Sequence, residues 1–171
     1  VCRAAAAVGA DMIRAVPAAG AEAVLGVLAG VCREAGSLLV IEDQARLAAQ
    51  VGAGGVHLTD AESPLGLARA EVGLRGIVGV SVRNLQETQL AIELHADYLV
   101  HRGGMDCLRD FALLGQGPGI PVFADGLAGL DEARRLSERG LHRFCIETGA
   151  QSAAAVGELV ADYSRLIGRC V

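Results

Sequence analysis

The strongest constraint on the fold is a repeat of about 22 residues, in which a short apolar run is followed by an amphipathic stretch. Each apolar run is nearly continuous, which is typical of strands buried on both faces of a parallel sheet. The stretches between them carry apolar residues at three- and four-residue spacing, as helices do. The pattern predicts strands over Asp11–Val16, Ser37–Ile41, Gly55–Leu58, Gly76–Val82, Asp97–His101, Ile120–Ala124 and His142–Glu147. It predicts helices over Ala21–Ala35, Asp43–Val51, Pro64–Val72, Asn84–His95, Asp106–Leu114, Asp131–Arg139 and Gln151–Ile167.

Tandem strand–helix units predict an α/β protein, and their even length favours a TIM (β/α)8 barrel over an open doubly wound sheet. Seven units are visible, whereas a closed barrel needs eight strands. Cys2–Val8 is predicted as the second half of a helix, so a first strand would lie upstream of Val1. We therefore expect one barrel domain over residues 1–171 that is N-terminally incomplete. Its open edges, Asp11–Val16 and His142–Glu147, favour pairing with another chain, which leaves a homo-oligomer open.

Composition excludes several classes of function. A net charge of −5 and an aromatic content of 3% disfavour nucleic-acid binding. No apolar run reaches the roughly 20 residues of a membrane span, and no secretory segment is recognisable, so we expect a cytoplasmic protein. All 15 basic residues are arginines, which leaves no lysine for a Schiff base or a phosphate anchor. The five cysteines form no C-x-x-C pair and are interpreted as ordinary thiols, with Cys107 as the one alternative nucleophile.

In a barrel of this class the site lies at the carboxyl ends of the strands, where this sequence places several acids. Glu42 and Asp43 follow the second predicted strand, and Asp60 and Glu62 follow the third. Carboxylates on neighbouring strand ends suit Mg²⁺, which binds through one or two carboxylates and substrate phosphates. The alternative is that Asp43 caps the following helix while Asp60 and Glu62 belong to a solvated loop.

Other polar residues at the same ends suggest a phosphate site and a proton-transfer group. Gly126, Thr148 and Gly149 follow the last two predicted strands, where barrels often bind phosphate through backbone N–H groups. Glycines are also common there for steric reasons alone. His101 is a candidate general acid or base, or a histidine of the rim without that role. His57 lies inside a strand and is interpreted as a hydrogen-bonded core histidine.

Five blocks of the sequence resemble those of the thiamine-phosphate synthase/TenI family, and they occur in the family's order. The blocks are LLVIEDQARLA from Leu38, VGAGGVHL from Val51, IVGVS from Ile77, ADYL from Ala96 and PVFADG from Pro121. The resemblance implies a barrel that binds a phosphorylated thiazole or pyrimidine in thiamine biosynthesis. It implies either a synthase, which joins a pyrimidine pyrophosphate to a thiazole phosphate with Mg²⁺, or a TenI-like thiazole tautomerase.

The same resemblance implies roles for individual residues. Asp43 matches a metal-binding aspartate, Glu42 replaces its neighbouring asparagine, and Glu62 falls where a second metal ligand is expected. Ser81 matches a serine that contacts pyrophosphate. Gly126, Thr148 and Gly149 fall on the thiazole-phosphate loops, and His101 lies within one position of the tautomerase histidine.

The sequence also departs from the family pattern at its cationic positions. The block Q-L-R-E-K is here IRAVP from Ile13, which keeps only Arg14 nearby, and the lysine-bearing loop is here HRGGM from His101. Arg102 or Arg83 would have to replace the lysines. We therefore expect a family member with altered catalytic residues, the alternative being a non-catalytic relative that binds a phosphate ligand or a partner protein.

Overall fold

A computed structural model of the chain describes residues 5, 7, 9–102, 119–147 and 152–167. Its strands are β1 (Met12–Ala15), β2 (Leu38–Glu42), β3 (Gly55–Leu58), β4 (Ile77–Val82), β5 (Tyr98–His101) and β6 (Val122–Ala124). Its helices are α1 (Glu22–Glu34), α2 (Ala45–Val51), α3 (Leu65–Val72), α4 (Leu85–Glu93), α5 (Leu130–Ser137) and α6 (Ala153–Ile167). These elements confirm six of the predicted strands and six of the predicted helices, while the helix predicted over Asp106–Leu114 lies outside the described residues.

Local sequence signals set the ends of these helices. The Asn84 side chain accepts the Glu87 N–H at 2.9 Å and so caps the start of α4, as asparagine does at helix N-termini. Gly52 ends α2 in the left-handed conformation, at a φ of 69°, which costs a glycine little. Each cap lets the chain turn directly into or out of a strand, so the repeat stays short.

The six strands form one parallel sheet in the order β1-β2-β3-β4-β5-β6. A doubly wound sheet reverses its strand order at a switch point, whereas this sheet adds each strand beside the previous one. The open doubly wound alternative is therefore excluded for the described strands, and the arrangement is that of a half-barrel.

The sheet is rolled, because side chains from its two terminal strands meet. The Arg14 guanidinium on β1 lies 3.7 Å from the carboxylate of Asp125, the residue after β6. In a flat sheet, five strand spacings would separate those strands by about 24 Å. The carboxyl ends of β1 and β6 therefore approach each other across the mouth of the half-barrel.

Alternation along the strands gives the rolled sheet two different faces. The outer face packs on the helices through one apolar cluster that includes Ile41, Val56, Val80 and Leu99. The inner face is more polar and includes Arg14, Glu42, His57, Ser81, Tyr98, Val100 and Phe123. The interior is therefore the face that carries the polar groups of a site.

The seventh predicted strand, His142–Glu147, forms only one bridge. Phe144 pairs with Ala124, and the Ala124 N–H and carbonyl bond to Arg143 and Cys145 at 2.9 and 2.8 Å. Among the described strands only β6 pairs with this segment, and it does so at a single residue. No helix in the described ranges is long and apolar enough to cross a membrane.

Candidate functional site

The carboxyl ends of four strands hold a continuous chain of four charged groups. Glu42 Oε2 lies 3.3 Å from Arg14 Nε, and Arg14 Nη2 lies 3.7 Å from Asp125 Oδ2. The same Asp125 oxygen lies 4.0 Å from Arg102 Nε. The ends of β1, β2, β5 and β6 each contribute one member, so the rolled sheet creates this cluster.

Arg14 connects the charged cluster to a cavity inside the half-barrel. The cavity has a volume of about 400 Å³ and extends from Gly9 at the amino end of β1 to Glu147, with Val160 and Tyr163 of α6 along one side. The Arg14 Nη1 atom is buried and has no hydrogen-bond partner among the described residues. Residues lining the cavity include Arg14, His57, Tyr98, Phe123, Phe144 and Cys145. A buried guanidinium N–H without an acceptor is an unsatisfied donor, which marks Arg14 as a candidate binding residue.

A hydrogen-bonded triad of side chains crosses the interior. His57 Nε2 lies 2.9 Å from Ser81 Oγ, and His57 Nδ1 lies 3.1 Å from the Tyr98 hydroxyl. Burial, helped by the charges of Arg14 and Arg102, lowers the pKa of His57 to about 3, so the imidazole is neutral near pH 7. The interpretation of His57 as a hydrogen-bonded core histidine is confirmed, and its partner is the predicted site residue Ser81.

Two other groups that touch the cavity stay neutral because they are buried. Burial raises the pKa of the Tyr98 hydroxyl above its ordinary value, and burial together with nearby Asp125 raises the pKa of the Cys145 thiol to about 12. A thiol with such a pKa is a poor nucleophile, because the thiolate is the reactive form. Cys145 therefore contributes shape to the cavity, while Cys107, the cysteine considered from the sequence, lies outside the described residues.

The acids predicted as metal ligands have local partners. Asp43, at a φ of 53°, accepts the Thr59 N–H at 2.8 Å and the Thr59 hydroxyl at 2.5 Å. The residue preceding α2 is Gln44, and no side-chain bond caps that helix. The alternative that Asp43 caps α2 is therefore wrong, because its carboxylate instead ties the end of β2 to the end of β3.

Asp60 and Glu62 lie in an exposed loop beside Thr59. Asp60 Oδ1 accepts the Glu62 N–H at 3.0 Å and lies 3.8 Å from Arg83 Nη2. No group of three histidine, cysteine or acidic side chains suited to a metal ion occurs within the described ranges. Asp43 bonds to Thr59 and Asp60 follows Thr59 in the chain, so this pair of carboxylates is the candidate for one Mg²⁺, which would need phosphate or water oxygens for its remaining positions.

The remaining predicted residues have different environments. Arg83 is 61% exposed and pairs with Glu87, while Arg102 is 40% exposed and pairs with Asp125. His101 is fully buried. Side chains alternate along β5, so His101 lies on the same face as Leu99, which packs toward the helices, and Tyr98 and Val100 lie on the opposite face and line the cavity. The Gly126 N–H donates to Asp125 Oδ1 at 2.8 Å. Thr148 and Gly149 lie outside the described residues.

Comparison with known families shows which family the chain belongs to. A family model described as "Thiamine monophosphate synthase" matches residues 3–104, which is more than half of the chain. The chain belongs to the thiamine monophosphate synthase family. The sequence resemblance is thereby confirmed, and the protein is placed in a family of thiamine biosynthesis.

Individual relatives give the extent of the similarity. The chain is 32% identical to the thiamine-phosphate synthase of Mycolicibacterium smegmatis over 64% of this chain and 52% of that protein. It is 30% identical to that of Nitrosospira multiformis over 83% of this chain and 65% of that protein. The chain thus spans less than two thirds of the length of these relatives.

Solved structures agree on the fold. The thiamine phosphate pyrophosphorylase from Pyrococcus furiosus superposes with a TM-score of 0.84 at 23% identity, covering 99% of this chain and 89% of that chain. KGPDC from Streptococcus mutans gives a TM-score of 0.73 at 16% identity, covering 98% of this chain and 92% of that chain. At these identities the likeness concerns the α/β architecture alone.

In this member of the thiamine monophosphate synthase family, the sequence did not single out Asp125, which lies between Arg14 and Arg102 in the charged cluster. Its position after β6 was visible, but its partners were not, because Arg14 reaches it only across the rolled sheet. Tyr98 was missed as well, since a tyrosine within an apolar run carries no signal of the hydrogen bond to His57. The one available signal for Asp125 is an acid placed directly after a buried strand.

Proposed function

We propose that the chain binds a small phosphorylated heterocycle of thiamine biosynthesis, a thiazole phosphate or a pyrimidine pyrophosphate, at the carboxyl ends of its strands. The observation that carries the proposal is Arg14, which lines the cavity and whose buried Nη1 atom has no hydrogen-bond partner in the described residues. A guanidinium in such a position binds phosphate oxygens strongly, because its N–H groups are preorganised and partly desolvated.

The cavity offers a matching place for the heterocycle. Its apolar wall includes Phe123, Phe144 and Val100, and its polar wall includes the neutral His57 and the Tyr98 hydroxyl. Aromatic rings and a neutral imidazole suit a flat, uncharged ring, which stacks and accepts or donates single hydrogen bonds. The phosphate end would then lie toward Arg14, with Arg102 and Arg83 further out.

The negative charge of the rim is the reason that the proposal includes Mg²⁺. The rim carries three arginines and six carboxylates, and its net charge of −3 repels a polyphosphate. The residues are Arg14, Arg83, Arg102, Glu42, Asp43, Asp60, Glu62, Asp125 and Glu147. We propose that Asp43, with Asp60 or Glu62, holds Mg²⁺ when a pyrophosphate binds, and Glu42 is the next carboxylate of the set. Bound Mg²⁺ would neutralise the oxygens of the leaving pyrophosphate.

The reaction that we propose is transfer of the pyrimidine from pyrophosphate to the thiazole phosphate, with Ser81 and Arg102 beside the departing group. The rolled sheet, together with the bridged segment at Phe144, supports a (β/α)8 barrel as the complete arrangement around it. Tautomerase chemistry through His101 is less well supported, because the alternation of β5 turns that side chain toward the helices. A non-catalytic relative would share the binding site without turnover.

The test is to incubate the purified chain with pyrimidine pyrophosphate, thiazole phosphate and Mg²⁺, and to measure thiamine phosphate by chromatography. We expect product in the wild type and at least a tenfold loss, roughly the effect of one charged hydrogen bond, in Arg14→Met. Arg75→Met, at an exposed residue before β4, is the matched control and retains activity. Ligand-induced thermal stabilisation without product would favour the non-catalytic relative, and neither product nor stabilisation would refute the proposal.

His101→Ala separates the tautomerase from the synthase. Loss of thiazole isomerisation with retained ligand binding would identify the tautomerase, contrary to the placement of His101. Retained synthase activity in the same variant is the result that we expect.

A further inference from the structure

We propose that Asp125 is an internal anion that competes with phosphate for the same donors and sets which anionic ligands the site accepts. The inference rests on the proposed function, because it concerns the same phosphate-binding groups. It goes further by naming a specificity-determining residue to which the comparisons assign no role.

The groups that would bind a phosphate converge on the Asp125 carboxylate. Oδ2 lies 3.7 Å from Arg14 Nη2 and 4.0 Å from Arg102 Nε. Oδ1 accepts the Gly126 N–H at 2.8 Å, which is the backbone donor that the sequence predicts for phosphate. Two guanidiniums and a backbone N–H around one anion are the usual components of a phosphate site, so the carboxylate stands where a phosphate oxygen would be bound.

The contacts of Asp125 are those of a displaceable occupant. Its side chain is only 6% exposed, so the carboxylate has given up most of its hydration. Charge-assisted hydrogen bonds to arginine are usually 2.7–2.9 Å long, and both guanidinium contacts are about 1 Å longer than that. The Arg14 Nη1 atom has no partner in the described part of the chain at all. A phosphate, with more oxygens, can satisfy donors that the carboxylate leaves unused.

Asp125 therefore lowers the affinity of the rim for anions in two ways. It neutralises one of the two positive charges that surround it, and a ligand must move it or tolerate its repulsion. Glu42 should lower the affinity for anions less than Asp125 does. It lies 3.3 Å from Arg14, but no described bond joins it to Arg102 or Gly126. The predicted order of phosphate affinity is Asp125→Asn above Glu42→Gln above wild type.

The test is isothermal titration calorimetry of the full chain with inorganic phosphate and with pyrophosphate. Asp125→Asn keeps the size of the side chain and an oxygen for the Gly126 N–H, and we expect it to bind inorganic phosphate about tenfold more tightly or better, as removal of one charge near 4 Å predicts. The gain should disappear in the Arg14→Met, Asp125→Asn double variant. Asp131→Asn, at an 88% exposed acid on α5, is the matched control and should bind as the wild type does.

Each outcome has one meaning. Unchanged or weaker binding by Asp125→Asn, with normal binding by the wild type, overturns this inference and leaves the proposed function intact. Binding by Asp125→Asn alone supports the inference and refutes phosphate binding by the natural chain. Binding of neither anion by either protein overturns this inference, whereas the proposed function is decided by product formation and stabilisation with the phosphorylated heterocycles. Thermal unfolding verifies that each variant folds. If Asp125→Asn does not fold, a higher phosphate affinity of Glu42→Gln supports the inference and an unchanged affinity overturns it.

Discussion

Burial of the single residue His57 makes the stability of the folded protein depend on pH. In an unfolded chain a histidine ionises near pH 6.5, whereas burial lowers the pKa of folded His57 to about 3. Between these values the unfolded state binds the proton and the folded state does not. Stability due to this residue is therefore complete above pH 6.5 and falls as the pH decreases toward 3.

We predict that the free energy of unfolding of the wild type decreases by about 1.4 kcal/mol per pH unit in that window through His57 alone. The variant His57→Gln keeps hydrogen-bonding atoms for Ser81 or Tyr98 but removes the ionisation, so its stability should depend less steeply on pH. Urea unfolding at several pH values between 4 and 7 measures both slopes. His95→Asn, at an exposed residue with a φ of 61°, is the control, and it should keep the wild-type slope. Equal slopes in His57→Gln and wild type would show that His57 is not neutral in the folded protein.

At the scale of the elements, Gly79 lets two strands and the triad fit together. Gly79 on β4 pairs with both His57 and Tyr98 in the parallel register, and the Tyr98 ring lies directly over its Cα. A Cβ added to Gly79 would lie 1.9 Å from Tyr98 Cζ, which is far inside any van der Waals contact. The glycine is therefore required by the position of the tyrosine that bonds to His57.

We predict that Gly79→Ala lowers the free energy of unfolding by about 2 kcal/mol or more, since overpacking in a core typically costs 1–3 kcal/mol. It should also shift the ring resonances of Tyr98 and His57 in an NMR spectrum, because the ring must leave its hydrogen bond. Gly26→Ala, in α1 with nothing within 4 Å of the added atom, is the matched control and should stabilise the protein by up to about 1 kcal/mol. A Gly79→Ala variant as stable as the wild type would mean that Tyr98 does not pack on β4 in this way.

The same scale shows what the sequence could and could not predict. The strands were predictable because each is a short apolar run that begins after a turn, as β3 begins shortly after Gly52 ends α2. The bonds of Asp43 to Thr59 were not, because a φ of 53° turns its side chain away from the helix that follows. The strand at His142–Glu147 was predicted too long, since its composition carries no information about how many partners pair with it.

At the scale of the whole molecule, the curvature of the sheet creates the candidate site. Arg14 and Asp125 come from the two terminal strands, and neither has a motif that links it to the other. Positions within one strand–helix unit follow from local pattern, but a contact between the first and last strands depends on the twist and tilt summed over all six. The charged cluster is therefore a property of the assembled sheet, and a flat sheet of the same strands would not contain it.

A double-mutant cycle tests this curvature directly, without any ligand. If the sheet is rolled, Arg14→Met and Asp125→Asn should be coupled by about 1 kcal/mol in the free energy of unfolding, because residues in one ion pair are not additive. In a flat sheet about 24 Å would separate the two positions, and their effects would add. The cycle of Arg14→Met with Asp131→Asn, an exposed acid on α5, serves as the control for which additivity is expected. Additive effects for Arg14 and Asp125 as well would mean that the edges of the sheet do not meet, and both the cluster and the phosphate subsite would then be lost from the solution structure.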